Sequence, residues 1–216
     1  MTSLDAPLFD GDFRESLTTL LAWRRDIRRF DSHPMDPNIV DDLLDHACLA
    51  PSVGNAQPWR FVSVQSEAIR ASIAQHVDTE NRKAADVYDD EQLRSEYQRL
   101  KLHGLREAPV HLAVFCDENA AEGRGLGRQT MPETLTYSVV MAIQNLWLAA
   151  RARHIGLGWV SILEPDKIGA ILDIPSDWRF IVYLCMGYPA QESDEPELVK
   201  LGWQDRIDQR KTRFVR

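Results

Sequence analysis

The chain has 216 residues, of which 44% are hydrophobic, 27% charged and 8% aromatic, the composition of one soluble globular domain that can bury a substantial core. Collagen-like, mucin-like and wholly disordered chains are excluded. With 25 Lys plus Arg against 33 Asp plus Glu, the formal charge is −8, so no overall positive field draws the protein to nucleic acid or membrane, and any bound anion needs a local basic cluster.

Met1 to Asp5 place an acid where a secretion leader requires a basic region before an apolar run, which predicts a cytoplasmic protein. Phe13, Leu17, Leu20 and Leu21 have helical spacing and lead to Trp23, and the Arg-rich segment Arg24 to Arg29 follows. Asp36-Pro37 is a helix start, with the acid at the cap and Pro in the first turn, and this helix should stop near Ala50-Pro51. The loop from Pro51 to Pro58 is dense in turn formers, and Trp59 to Val64 has the content of a strand. A short helix is expected over Ile69–Val77, then a charged lid or exposed helix over 78–99.

Val110 to Cys116 reads as a buried strand, and Ala120 to Arg128 as a mobile loop. Pro132-Glu133 opens a long helix to about His154 whose apolar residues fill much of its circumference, as expected at the centre of a fold or a dimer. Its most apolar stretch, Tyr137 to Ala150, is too short to span a bilayer. Gly156-Leu157-Gly158 is expected to end that helix, followed by a strand over Trp159–Leu163, a helix over Asp166–Leu172 and a strand over Phe180–Met186. Strands interleaved with helices indicate a single layered α/β or α+β domain over 1–216, with a polar tail at about 192–216 that Trp203 suits for wrapping another surface. Cys48, Cys116 and Cys185 lack the close pairs of a zinc site and are expected as reduced core residues; the six His show no metal-ligand spacing.

Three segments could carry chemistry. Arg24-Arg25-Asp26-Ile27-Arg28-Arg29 concentrates four guanidinium groups, a density that favours a phosphate site over a solvated face paired with Asp31 and Asp36. In Ala50-Pro51-Ser52-Val53-Gly54-Asn55-Ala56-Gln57-Pro58-Trp59, backbone N–H groups, a hydroxyl and an amide can converge on a flat polar ligand. Gly156-Leu157-Gly158-Trp159-Val160-Ser161-Ile162 has glycines that allow close backbone approach. Gly123-Arg124-Gly125-Leu126-Gly127-Arg128 imitates a nucleotide loop but lacks its Lys-Ser or Lys-Thr ending.

Taken together, the Arg-Arg-x-x-Arg segment, the Pro-Ser-x-x-x-Gln-Pro-Trp loop, Leu100 to Pro109 and the glycine segment resemble, in this order and from Trp23 to about Trp203, the FMN-dependent nitroreductase superfamily. Asp26, where ordinary members commonly have Ser, points to the branch that destroys its flavin. The resemblance implies an α+β fold with a central, mostly antiparallel sheet flanked by helices and a tail-swapped homodimer. It also implies that reduced FMN is the substrate, fragmented with O2 to 5,6-dimethylbenzimidazole and erythrose 4-phosphate. The reduced FMN would come from a flavin reductase, the point at which NAD(P)H would enter. In that picture Arg24, Arg25 and Arg28 hold the phosphate end; Ile27, Ser52, Gly54, Asn55 and Leu102 meet the flavin; Val160, Ser161 and Ile162 face the ring's central nitrogen; and Asp26 and Ser161 move protons. The competing readings are an NAD(P)H-dependent nitroreductase that keeps its FMN, a flavin-binding protein without turnover, and, for Asp26, a plain salt bridge to Arg25 or Arg28.

Overall fold

The structure is a computed structural model that describes residues 6–216; Met1 to Asp5, on which the expectation of a chain without a leader rests, lie outside the described residues. A four-stranded antiparallel sheet of order β1-β2-β4-β3 forms the centre, with β1 at Trp59–Ser63, β2 at Val110–Asp117, β3 at Gly156–Val160 and β4 at Trp178–Gly187. Both faces are buried, so the strands are apolar on both sides. Leu112, Val114, Cys116, Val182, Leu184 and Met186 join one core, while the alternating Ala113, Phe115, Tyr183 and Cys185 join the other.

Helices α2 (Pro37–Cys48) and α5 (Thr134–Arg151) lie with the first core, and α1 (Gly11–Trp23), which buries no residue, packs on α5. The second face is covered by α3 (Glu67–Ala85) and α6 (Pro165–Leu172), which bury Ile73, Val77 and Ile168 there. Helix starts follow their caps: the carboxylates of Asp10, Asp36 and Asp90 accept the backbone N–H of Phe13, Asn38 and Leu93, the last opening α4 (Glu91–Arg99). Among the described residues no helix is long and apolar enough to cross a membrane.

Several boundaries differ from expectation. The helix expected over Ile69–Val77 runs on to Ala85, because the polar sequence beyond Val77 contains no breaker and needs only one buried side. The lid region is therefore the end of α3 plus α4. The segment expected to be mobile forms a 3-10 turn, Glu122–Gly125, locked against a second, Val53–Asn55; Cβ atoms at Gly54 and Gly123 would lie 2.7 Å from the Leu126 carbonyl and 2.5 Å from the Gly54 carbonyl. The glycines at 156 and 158 lie inside β3 and do not terminate the preceding helix, which ends at Arg151; β3 stops at Val160, so Ser161 and Ile162 follow the strand. Cys48 is exposed, while Cys116 and Cys185 are buried as expected. The tail carries α7 (Glu197–Lys200), and Trp203 packs on Tyr88 and Tyr97 of the same chain's lid, where aromatic edges are available, at centroid distances of 5.8 and 6.1 Å.

Candidate active site

α1 ends when the Arg24 N–H donates to the Leu20 carbonyl at 3.0 Å and the backbone turns extended. The chain then runs beside β3: the Ile27 N–H donates to the Leu157 carbonyl at 2.8 Å, and Asp26 forms a parallel bridge with Leu157. Glycine is required opposite. A Cβ at Gly156 would meet the Ile27 side chain at 2.7 Å, and one at Gly158 would collide with the Ile27 carbonyl oxygen. Farther along, Phe30 bridges Pro189, so the segment passes round the start of β3 to the extension of β4.

This path fixes Asp26. One carboxylate oxygen accepts the Trp159 N–H at 2.8 Å; the other accepts Arg28 Nε at 2.8 Å. Arg28 Nη1 also donates to the Lys101 carbonyl at 3.2 Å, tying in the segment that holds half-buried Leu102. Burial raises the Asp26 pKa above the ordinary carboxylate value, against the opposing pull of the Trp159 N–H and of Arg28 and Arg24. The salt bridge that stands as the plain alternative for Asp26 is thus present, to Arg28.

Arg24 stacks over the Trp147 ring, 4.7 Å from its centroid, and Trp147 Nε1 donates to the Arg25 carbonyl at 3.1 Å. Arg25 donates to the carbonyls of Arg24 and Asp194, while its Nε is buried without a hydrogen-bond partner among the described residues. Burial lowers the pKa of both arginines, and the charge of Arg206 in the tail lowers both further. Three guanidinium groups therefore share one region whose felt counter-charges are Asp26 and Asp194, an arrangement that fits a bound phosphate. Sequence reasoning misses Arg206, since it lies in a polar tail without a motif; an Arg-containing tail after Trp203 is the available signal. A cavity of about 140 Å³ adjoins, lined by Arg25, Asp26, Arg28, Arg29, Glu195 and Lys200 among others.

Val160 is buried at the end of β3, Ser161 is exposed, and Ile162 is half-buried. Ser161 thus emerges two residues after the Trp159 N–H that holds Asp26. The loop with Ser52, Gly54 and Asn55 is elsewhere: the Val53 N–H donates to Ser138 Oγ at 3.0 Å, and Ser52 Oγ accepts the Gln57 N–H at 3.0 Å. Ser138 and Trp147 both sit on α5, about 13 Å apart at ~1.5 Å per residue, so this loop and the arginines do not meet around one point of a single chain. Among the described residues His76, Glu80 and Glu164 come together with metal-ligand chemistry, but Lys83 Nζ pairs with Glu80 at 2.7 Å and lies 4.0 Å from Glu164, which places an ammonium there.

The Nitroreductase family model matches residues 21–188. A 5,6-dimethylbenzimidazole synthase of Rhodospirillum rubrum is 55% identical over 200 residues, 93% of this chain and 94% of that protein; one of Rhodobacter capsulatus is 44% identical over 92% of this chain and 96% of its own length. Among solved structures, oxidized iodotyrosine deiodinase bound to FMN and 3-iodo-L-tyrosine superposes with a TM-score of 0.69 at 26% identity, covering 82% of this chain and 91% of that one. A nitroreductase family protein from Streptococcus pneumoniae TIGR4, 21% identical, gives 0.67 over 93% of this chain and 100% of its own, a likeness of fold. A sheet of the same architecture, an arginine segment laid along a glycine strand and a family match across both together establish that the chain belongs to the nitroreductase family.

Proposed function

We propose that this protein is an enzyme that converts reduced FMN and O2 to 5,6-dimethylbenzimidazole, the lower ligand of cobalamin, the ribityl phosphate end leaving as erythrose 4-phosphate and the pyrimidine part of the ring system as a further fragment. The reading is supported by the 55% and 44% identical synthases, and the observation that carries it is Asp26, a carboxylate with raised proton affinity held between a strand N–H and an arginine. The reduced ring supplies the electrons that O2 accepts; the protein's part is to hold, to enclose and to move protons. Arg24, Arg25 and Arg206 hold the phosphate; Arg28, which the resemblance also assigns to it, is here engaged by Asp26 and the Lys101 carbonyl and so fixes the carboxylate and ties the arginine segment to Lys101. Asp26 accepts and returns a proton at the ring, and the Ser161 hydroxyl relays it beside the backbone of Val160 and Ile162.

A second copy completes the site. Phe9, Phe13, Leu17 and Leu21 on or beside α1, and Tyr137, Val140 and Met141 on α5, are exposed, more apolar surface than a lone domain needs to leave open. Covering these faces brings the partner's loop with Ser52, Gly54 and Asn55 to the flavin, which explains why that loop and the arginines lie apart in one chain. Reduced FMN comes from a separate flavin reductase that spends NAD(P)H, and the reaction belongs in the cytoplasm.

Incubation with chemically reduced FMN in air should yield 5,6-dimethylbenzimidazole by mass. Asp26→Asn should still bind the flavin but return it intact and oxidised with peroxide, the benzimidazole yield falling by about 10² to 10⁴, the span of general acid–base catalysis. Near-normal yield from that variant would leave Asp26 as a salt-bridge partner and overturn the mechanism. Flavin that is reduced by NAD(P)H and reoxidised by a nitroaromatic, with no benzimidazole, would select the conventional nitroreductase; binding without either reaction would select a carrier.

A further inference from the structure

We infer that Trp147 is a positioning residue for phosphate recognition, setting Arg24 through its ring face and Arg25 through its indole N–H; the inference rests on the phosphate clamp proposed above. Trp147 lies on α5 and is nearly buried in the core; a buried indole N–H needs an acceptor in any packing role, but packing alone dictates neither an arginine over the ring face nor the Arg25 carbonyl as that acceptor. Yet the Arg24 guanidinium lies 4.7 Å from its ring centroid, and its Nε1–H reaches the Arg25 carbonyl at 3.1 Å. The ring is itself held by Trp159, stacked at 6.3 Å with an interplanar angle of 17°, and the Trp159 N–H is the group that anchors Asp26. One indole therefore joins two arginines of the clamp and stacks on the residue that fixes the carboxylate.

The chemistry of the contact matters. A carboxylate placed on Arg24 would compensate its charge but occupy its donors and repel an incoming phosphate. A ring face stabilises the partly desolvated cation through its quadrupole and takes none of the in-plane N–H groups, so they stay available for an anion. Arg25 is fixed at its carbonyl by the indole, and its buried Nε still lacks an acceptor among the described residues. The pair is thus held in place with donor capacity to spare. Trp147 on this account determines the preference for the phosphorylated flavin over the same ring system without phosphate.

The test is equilibrium titration of the full chain with oxidised FMN and with riboflavin, for the wild type, Trp147→Leu, Trp147→Phe and Arg24→Ala. Trp147→Leu should lower the FMN-over-riboflavin affinity ratio roughly fivefold to thirtyfold, the scale of a partly buried cation–π contact, while riboflavin affinity, which reports the fold and the ring pocket, moves about twofold at most. Trp147→Phe keeps a ring face without the N–H and should recover part of the ratio without restoring it. Equal loss of both ligands in Trp147→Leu, or an unchanged ratio, overturns the inference; if Arg24→Ala lowers the ratio in the same series, the clamp itself stands. An unchanged ratio in Arg24→Ala would instead remove the clamp. Should Trp147→Leu fail to fold, a wild-type ratio in Trp147→Phe overturns the indole N–H role, and with it the inference.

Discussion

At the scale of single residues, Gly158 shows how a distant contact can dictate a side chain. Its missing Cβ is what lets the Ile27 carbonyl lie against β3, and through Ile27 it places Asp26 on the Trp159 N–H. Gly158→Ala should therefore destabilise by about 1 to 3 kcal/mol, the usual cost of overpacking, and should weaken FMN binding as the arginine segment is pushed away. Gly169, inside α6 with nothing within 4 Å of where a Cβ would stand, is the contrast: Ala there should be neutral or stabilise by up to ~1 kcal/mol. Urea unfolding of the two variants decides it, and equal stabilities would refute the packing argument. The same glycines account for the misplaced strand boundary. Locally, Gly156-Leu157-Gly158 after a long helix looks like a helix terminator; that a segment more than a hundred residues earlier needs the space is visible only in three dimensions. The ion pair of Asp26 with Arg28, by contrast, is legible, because the two are near neighbours in the arginine segment.

Between elements, β2 and β4 are joined by a buried polar pair as well as by their ladder. His111 Nδ1 lies 3.0 Å from the Tyr183 hydroxyl, and both side chains are buried. Burial, with the charge of Arg70 adding to it, lowers the His111 pKa from 6.5 to about 4. In the pH window between these values the unfolded chain binds the proton and the folded chain does not, so stability falls as pH drops through 6.5 and the loss is complete below about 4. The total is on the order of 3 kcal/mol for this group, and His111→Gln, which keeps an acceptor for Tyr183, should flatten the curve. Urea midpoints between about pH 7 and pH 4 measure it; a curve unchanged by the substitution would show that His111 does not titrate as argued. Element starts are the most legible part of the fold, since Asp36-Pro37 carries its cap and first turn in adjacent residues. Element ends are less so: α3 outlasts its apolar pattern because only its first half is needed to cover the sheet.

For the whole molecule, the exposed apolar faces of α1 and α5 lead to the expectation of a dimer that persists at low micromolar concentration, with the loop from Ser52 to Asn55 supplied across the interface. Sedimentation that finds a folded, FMN-binding monomer under those conditions would remove the second copy from the site. The sequence marks α5 as unusually apolar, and its exposed Tyr137, Val140 and Met141 show why: one side meets the sheet and α2, and another is left open. It does not mark the partner of Trp203, because an isolated Trp in a polar tail cannot say which aromatic edges it will find. The arginine segment has a further consequence at this scale. In the strand order β1-β2-β4-β3, β3 ends the sheet, and the Asp26–Leu157 bridge lies along its outer side. Unpaired edge strands are templates for addition of foreign strands, and here the stretch that carries the arginines proposed to bind phosphate is also what occupies that edge. Loosening it would cost the protein its ligand and uncover a surface for aggregation in the same event, so solubility and flavin occupancy are bound to one short length of chain.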